Sequence, residues 1–156
     1  MVKLKLKKRT SGRRGAGLCP PFTEKQIRLL RQTFALLEPK AGIAGLVFYR
    51  QLFTLDPSLQ KLFQSSIELQ SRKLMESLGY TVATLENPKT LVPVLESLGR
   101  RHVTYGVQKK HYDTVVIALL QALEQVLDTA FTAEVRDAWN TALQFVATTM
   151  MRGGAP

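Results

Sequence analysis

From Thr23 onward, apolar residues recur every three to four positions in long runs, the spacing that places them on one face of an α-helix. Ile27, Leu30, Phe34 and Leu37 define the first such face. Thr23 and Gln26 open that helix with capping-box spacing, and Phe22 is placed to act as a hydrophobic staple. Pro39 and Gly42 end it and start the next. Over residues 43–55, Leu46, Phe48, Tyr49, Leu52 and Phe53 cover a wide arc, which predicts a deeply buried second helix. Asp56 and Pro57 suit the start of a short turn or helix running to Phe63.

A long helix is predicted over about 68–86, with Leu74, Leu78, Val82 and Leu85 on one face and Asn87-Pro88 as its stop. Leu91, Val94, Leu95 and Leu98 predict a short helix over 89–101, with Gly106 as the next break. Two long amphipathic helices follow, about 109–128 on Val115, Leu119, Leu123 and Val126, and about 132–150 on Val135, Trp139, Leu143, Val146 and Met150. No stretch sustains the alternation of a strand, and there is no internal repeat or coiled-coil spacing. The pattern predicts an all-α domain.

Composition refines this picture. A chain of 156 residues with 45% apolar content fits one domain with one substantial core. No apolar run approaches the roughly 20 residues that cross a bilayer, so a soluble or peripheral protein is expected. Cys19 is the only cysteine, which rules out an internal disulfide and suits a reducing compartment, hence an expected cytoplasmic location. The net charge of +10 is unevenly placed: residues 1–20 hold seven of the 22 basic residues and no acid. Residues 1–22 therefore read as a basic, disordered extension, 23–151 as the folded domain and 152–156 as a flexible end.

Candidate chemistry is sparse. There is no H-E-x-x-H, phosphate loop, dinucleotide fingerprint or G-x-S-x-G, and no cluster of zinc ligands. Histidine occurs twice, as His102 and His111. His102 lies one turn past Leu98 and two past Leu95, at the end of an apolar-faced helix. That setting suits an imidazole aimed at an iron, with an apolar wall behind the ring. It equally suits a surface histidine at a helix C-terminus. His111 follows Lys109 and Lys110 at a helix start and reads as solvated.

Read together, FYRQLFTLDPSLQKLF (48–63), QSRKLM (70–75) and RRHVTYGVQKKHY (100–112) resemble the bacterial single-domain haemoglobins and the haem domain of flavohaemoglobins. LESLGRRHVTYGV with AFTAEVRDAW is also similar to neuroglobin-type sequences. The resemblance spans about residues 23–150. It implies a globin fold of six to eight helices enclosing one haem b (iron protoporphyrin IX). His102 takes the place of the proximal iron ligand and is the implied metal-binding residue. Tyr49 and Gln70 fall at the distal positions that stabilise a bound gas. Phe63, Leu74, Leu98 and Val107 fall where the haem is packed, and Tyr112 stands in the proximal second shell. In flavohaemoglobins that tyrosine partners a glutamate of the last helix, whereas MMRGGAP contains no acid. Coordination by two histidines, as in neuroglobin, would need His111, at the wrong end of the pocket, so iron is expected five-coordinate or water-bound, with Lys73 or Tyr49 as ferric-state alternatives.

The implied function is reversible binding of dioxygen, nitric oxide or carbon monoxide. Dioxygen on ferrous iron gains negative charge, which the Tyr49 hydroxyl and the Gln70 amide can both meet as donors. Each bond contributes on the order of 1–3 kcal/mol, or roughly tenfold to a hundredfold in retention. The alternative is a nitric oxide dioxygenase served by an external reductase, since the sequence holds no reductase domain after residue 150. A third expectation is a gas-sensing or anionic-surface-binding module acting through the basic tail, which lacks aromatic residues for stacking on single strands. No specific nucleic-acid binding is expected, and the chain is expected as a monomer or weak homodimer.

Overall fold

Thr23 opens the folded chain through the reciprocal bonds its spacing predicts. The Gln26 N–H donates to the Thr23 Oγ1 at 3.1 Å, and the Thr23 N–H donates to the Gln26 Oε1 at 3.0 Å. The structure, a computed structural model, describes residues 22–156. Among them are six α-helices and no strand: α1 (Glu24–Leu37), α2 (Ala41–Leu55), α3 (Ile67–Thr84), α4 (Pro88–Thr104), α5 (Lys109–Leu127) and α6 (Ala133–Gly153). Short 3₁₀ turns at Glu38–Lys40, Pro57–Leu62 and Asp128–Ala130 join them. The basic extension and Cys19 lie outside the described residues, and so does the expectation of disorder there.

Each boundary has a local cause. Asp56 accepts the Ser58 N–H at 3.0 Å and so starts the turn that Pro57 enters with its φ already set. Ser66 accepts the Leu69 N–H at 3.2 Å and caps α3, and Thr132 accepts the Val135 N–H at 3.2 Å to cap α6. Phe22 lies edge-on to Phe145 of α6 at 5.4 Å, so its packing partner is the last helix. No helix among the described residues is long and apolar enough to cross a membrane.

Three expectations need correction. The short helix predicted over 89–101 is a full helix ending at Thr104, so His102 sits inside its last turn. Gly106 explains the extension. At φ 90° it closes α4 with paired bonds, Gly106 N–H to Val103 O and Val107 N–H to His102 O, both 3.0 Å. His111 is buried, because it supplies a helix cap: its Nδ1 accepts the Gln108 N–H at 3.0 Å. The last helix also continues past residue 151, with Arg152 donating to Glu96 at 3.0 Å.

The core forms where α4 packs on α6 and α2 packs on both α3 and α5. Two of these crossings depend on small residues. A Cβ at Gly99 would strike the Met150 carbonyl of α6, and a Cβ at Gly45 would strike Ser71 of α3. Trp139 anchors α6 in the centre, with its indole N–H donating to the Thr33 hydroxyl at 2.9 Å. Thr33 in turn donates to the Leu29 carbonyl at 2.7 Å, so this buried polar link between α1 and α6 is fully paired.

Candidate functional site

α4 carries His102, and the helix itself sets the state of its imidazole. The Leu98 carbonyl oxygen, one turn back, lies 2.8 Å from Nδ1. A carbonyl only accepts, so Nδ1 bears the proton and Nε2 keeps its lone pair. Desolvation pushes the imidazole pKa down; the Leu98 bond opposes this, and the Arg101 charge adds to the lowering. The net direction favours the neutral ring, which is the form that ligates a metal. The chain reversal at Gly106 then folds Val107 back toward the turn that holds His102.

A second group is aromatic. Tyr49 of α2 is 5% exposed, and its ring meets Phe63 edge-on at 5.2 Å. Phe53, one turn after Tyr49, lies 5.8 Å from Tyr49 and 5.7 Å from Phe63. Burial alone pushes the Tyr49 hydroxyl up to about 12, so it remains a protonated donor at neutral pH. Phe63 is placed by the Pro57–Leu62 turn, whose Leu62 side chain lies next to Gly106.

The remaining predicted residues lie on helices that pack against α2. Gln70 is half-buried in the first turn of α3. Leu74, one turn further along, lines a void of about 10 Å³ with Ala44, Phe48, Met75 and Leu119. Tyr112 is buried in the first turn of α5, and desolvation raises its pKa. The structure thus directly joins Tyr49 with Phe63, and His102 with Leu98 and Val107. It holds Gln70, Leu74 and Tyr112 on the neighbouring α3 and α5. At the end of α6, Gly153 packs on Glu96, and Gly154 packs on Gly99 and Val103. A side chain on either glycine would push α6 off α4.

Sequence reasoning missed three contributors. Phe53 had a signal, since it follows Tyr49 at one-turn spacing. The acceptor role of Leu98 follows from its position four residues before His102, but a backbone carbonyl carries no sequence signature. The Gly45–Ser71 crossing is a meeting of two helices, which periodicity within one helix cannot show.

The donor set suits a haem. One neutral imidazole offers a free nitrogen, and half-buried Phe63, Leu74, Leu98 and Val107 supply apolar walls. Among the described residues there is no group of three or more His, Cys, Asp or Glu side chains that could hold a bare metal ion.

These features define a helical protein with one half-buried imidazole and apolar, aromatic-lined walls. The globin family model matches residues 46–150, and the chain belongs to the globin family. It is a haem-binding globin, of a class whose iron takes diatomic gases. The chain is 31% identical over 129 residues to a flavohemoprotein of Xylella fastidiosa, covering 81% of this chain and 32% of that protein. It thus spans about a third of the length of the flavohemoproteins it matches. It is 31% identical over 136 residues to anaerobic nitrite reductase HBII of Casuarina glauca, covering 78% of this chain and 85% of that one. Among solved structures it is similar to an engineered carbene transferase made from a candidate nitric oxide dioxygenase of Rhodothermus marinus. That likeness has a TM-score of 0.77 and 26% identity, over 85% of this chain and 93% of the other.

Proposed function

We infer that this globin reversibly binds dioxygen or a related diatomic gas, with His102 holding a haem of the b type and Tyr49 and Gln70 donating to the gas. The Nδ1–H bond of His102 to Leu98 carries the reading, because it leaves Nε2 free and fixes the ring's orientation. When bound, the haem supplies an iron that takes the gas. The chain's residues do the rest. Tyr49 keeps its proton and donates from a buried position. Gln70, half-exposed, donates less effectively because solvent competes for its amide. Phe63 and Leu74 exclude water, and Phe53 holds the Tyr49 ring.

Stopped-flow dissociation of dioxygen from the ferrous protein tests this. Tyr49→Phe is expected to raise the off-rate roughly tenfold to a hundredfold, and Gln70→Leu less than that. An unchanged off-rate in Tyr49→Phe rules out the distal role. A protein that shows no Soret band after haem supplementation rules out the whole reading.

The likeness to the Rhodothermus marinus protein favours a second reading, nitric oxide dioxygenation supported by a separate reductase. Mixing the oxygenated protein with nitric oxide and following nitrate together with re-reduction by cell extract separates the two. A location in the cytoplasm, supported by the single cysteine, and a monomer or weak homodimer complete the proposal. The basic tail contacting anionic surfaces is a further part of it, supported by seven cations without an acid in residues 1–20.

A further inference from the structure

The corner of the molecule around His102 carries two pairs of cations. From Ser97 to Tyr112 the chain holds Arg100, Arg101, Lys109 and Lys110 and no acidic residue. The Gly106 reversal brings the end of α4 and the start of α5 together, so the two basic pairs flank one short turn. All four cations are exposed. The ion pairs among the described residues are Lys25–Glu134, Arg31–Glu86, Arg136–Glu124 and Arg152–Glu96, and none uses a cation of this corner. Glu96, the acid that precedes the segment, is engaged by Arg152. Asp113, the acid that follows the segment, is exposed on α5, and Arg100, Arg101 and Lys109 face solvent beside it.

Two apolar side chains sit between these charges. Val103 is 53% exposed and Tyr105 is 62% exposed. The Tyr105 ring centre lies 6.2 Å from that of His102, so an exposed aromatic reaches from the surface to the candidate iron ligand.

We propose that this corner is the docking face for an acidic, electron-carrying protein, which reduces the site through close approach at Tyr105. The inference rests on the haem-binding reading of His102. An apolar centre with an aromatic residue and a charged rim is the usual anatomy of a protein interface, and Tyr and Arg are the residues that most often anchor one. Electron-transfer encounters are small and electrostatically steered, which a compact cluster of this kind suits. In the transfer the carrier loses one electron and the ferric iron gains it. No bond forms or breaks.

An acidic flavodoxin is a suitable probe, titrated into the ¹⁵N-labelled full-length holoprotein in its carbon monoxide form. Amide shifts are expected to centre on residues 100–110 and to vanish at high salt. Arg100→Glu/Lys109→Glu is expected to weaken the apparent affinity about tenfold or more at low salt. Arg100→Gln/Lys109→Gln, a milder change at exposed positions, should weaken it by a smaller factor, and Tyr105→Ser should weaken it without changing the salt dependence. Shifts that map to another face, or equal binding by the charge variants, overturn the proposal. So does tighter binding of anionic phospholipid vesicles through the same amides. A normal carbon monoxide spectrum with no docking removes this inference alone, whereas a missing Soret band removes the functional reading with it.

Discussion

His102 donates its Nδ1–H to the carbonyl oxygen of Leu98, 2.8 Å away and one helical turn earlier. The acceptor belongs to the backbone of the same helix, so the ring cannot swing without breaking a bond inside α4. An imidazole held in this way presents one nitrogen in one direction, with its basicity raised by the bond it makes.

His102→Gly therefore removes the ligand while leaving its acceptor in place. Haem retention is expected to fall by at least the roughly tenfold to hundredfold that loss of an outer partner causes at metal sites. Exogenous imidazole should restore the carbon monoxide spectrum of the ferrous protein, because it fills the space the side chain leaves. Retention equal to that of the parent protein would mean that another residue holds the iron.

Tyr49 makes a prediction at alkaline pH. Burial raises its pKa to about 12, above the value of about 10 expected in the unfolded chain. Above pH 10 the unfolded chain gives up this proton before the folded one does, so folding stability falls as pH rises through that window. Urea denaturation of the apoprotein should show this loss between about pH 10 and pH 12, and Tyr49→Phe should reduce the slope. A phenolate absorbance titration should lose its latest step in the same variant. An unaltered titration curve would place the Tyr49 hydroxyl in water.

The helices, and most of the residues proposed for the site, could be read from the sequence, because both rest on local pattern. The Thr23 and Gln26 pair forms the cap its spacing predicts. Tyr49 and Phe63, singled out through a resemblance, are in ring contact. The features that escaped are backbone and inter-helix features. His111 follows two lysines, which suggested a solvated ring, yet it is buried because its ring nitrogen replaces a missing cap on α5. The helix predicted to stop at 101 runs three residues further, to Thr104, because Gly106 takes up the chain reversal only beyond it. The close approach of the chain at Gly153 and Gly154 to α4 is likewise a backbone contact that no pattern within one helix shows.

Thr33 and Trp139 give a test of the core. The indole N–H donates to the Thr33 hydroxyl at 2.9 Å, and both residues are buried. Thr33→Val keeps the shape and leaves that N–H without a partner. The cost of such an orphaned donor is about 1–3 kcal/mol, which chemical denaturation followed by Trp139 fluorescence should register. A change within measurement error would mean that water reaches the indole.

The crossing of α2 and α3 links stability to the distal side. Gly45 lies one turn before Tyr49, and Ser71 follows Gln70. A Cβ at Gly45 would land on the Ser71 Cβ, and 3.0 Å from the Ser71 Cα, so the helix backbones themselves must separate. Helix propensity favours Ala over Gly by about 1 kcal/mol, but overpacking of this kind costs about 1–3 kcal/mol, and the clash with backbone sets the sign. Gly45→Ala is expected to destabilise the protein and to change the dioxygen off-rate, because Tyr49 moves with α2 and Gln70 with α3. The Ser71 hydroxyl is buried without a hydrogen-bond partner among the described residues. Ser71→Ala should therefore be neutral or slightly stabilising, and Ser71→Gly in the Gly45→Ala background should recover part of the loss by reopening the space. A double-mutant cycle should return a coupling of about 1 kcal/mol or more. Strict additivity would show that the two helices do not set their separation at this pair, and the off-rate effect would then need another origin.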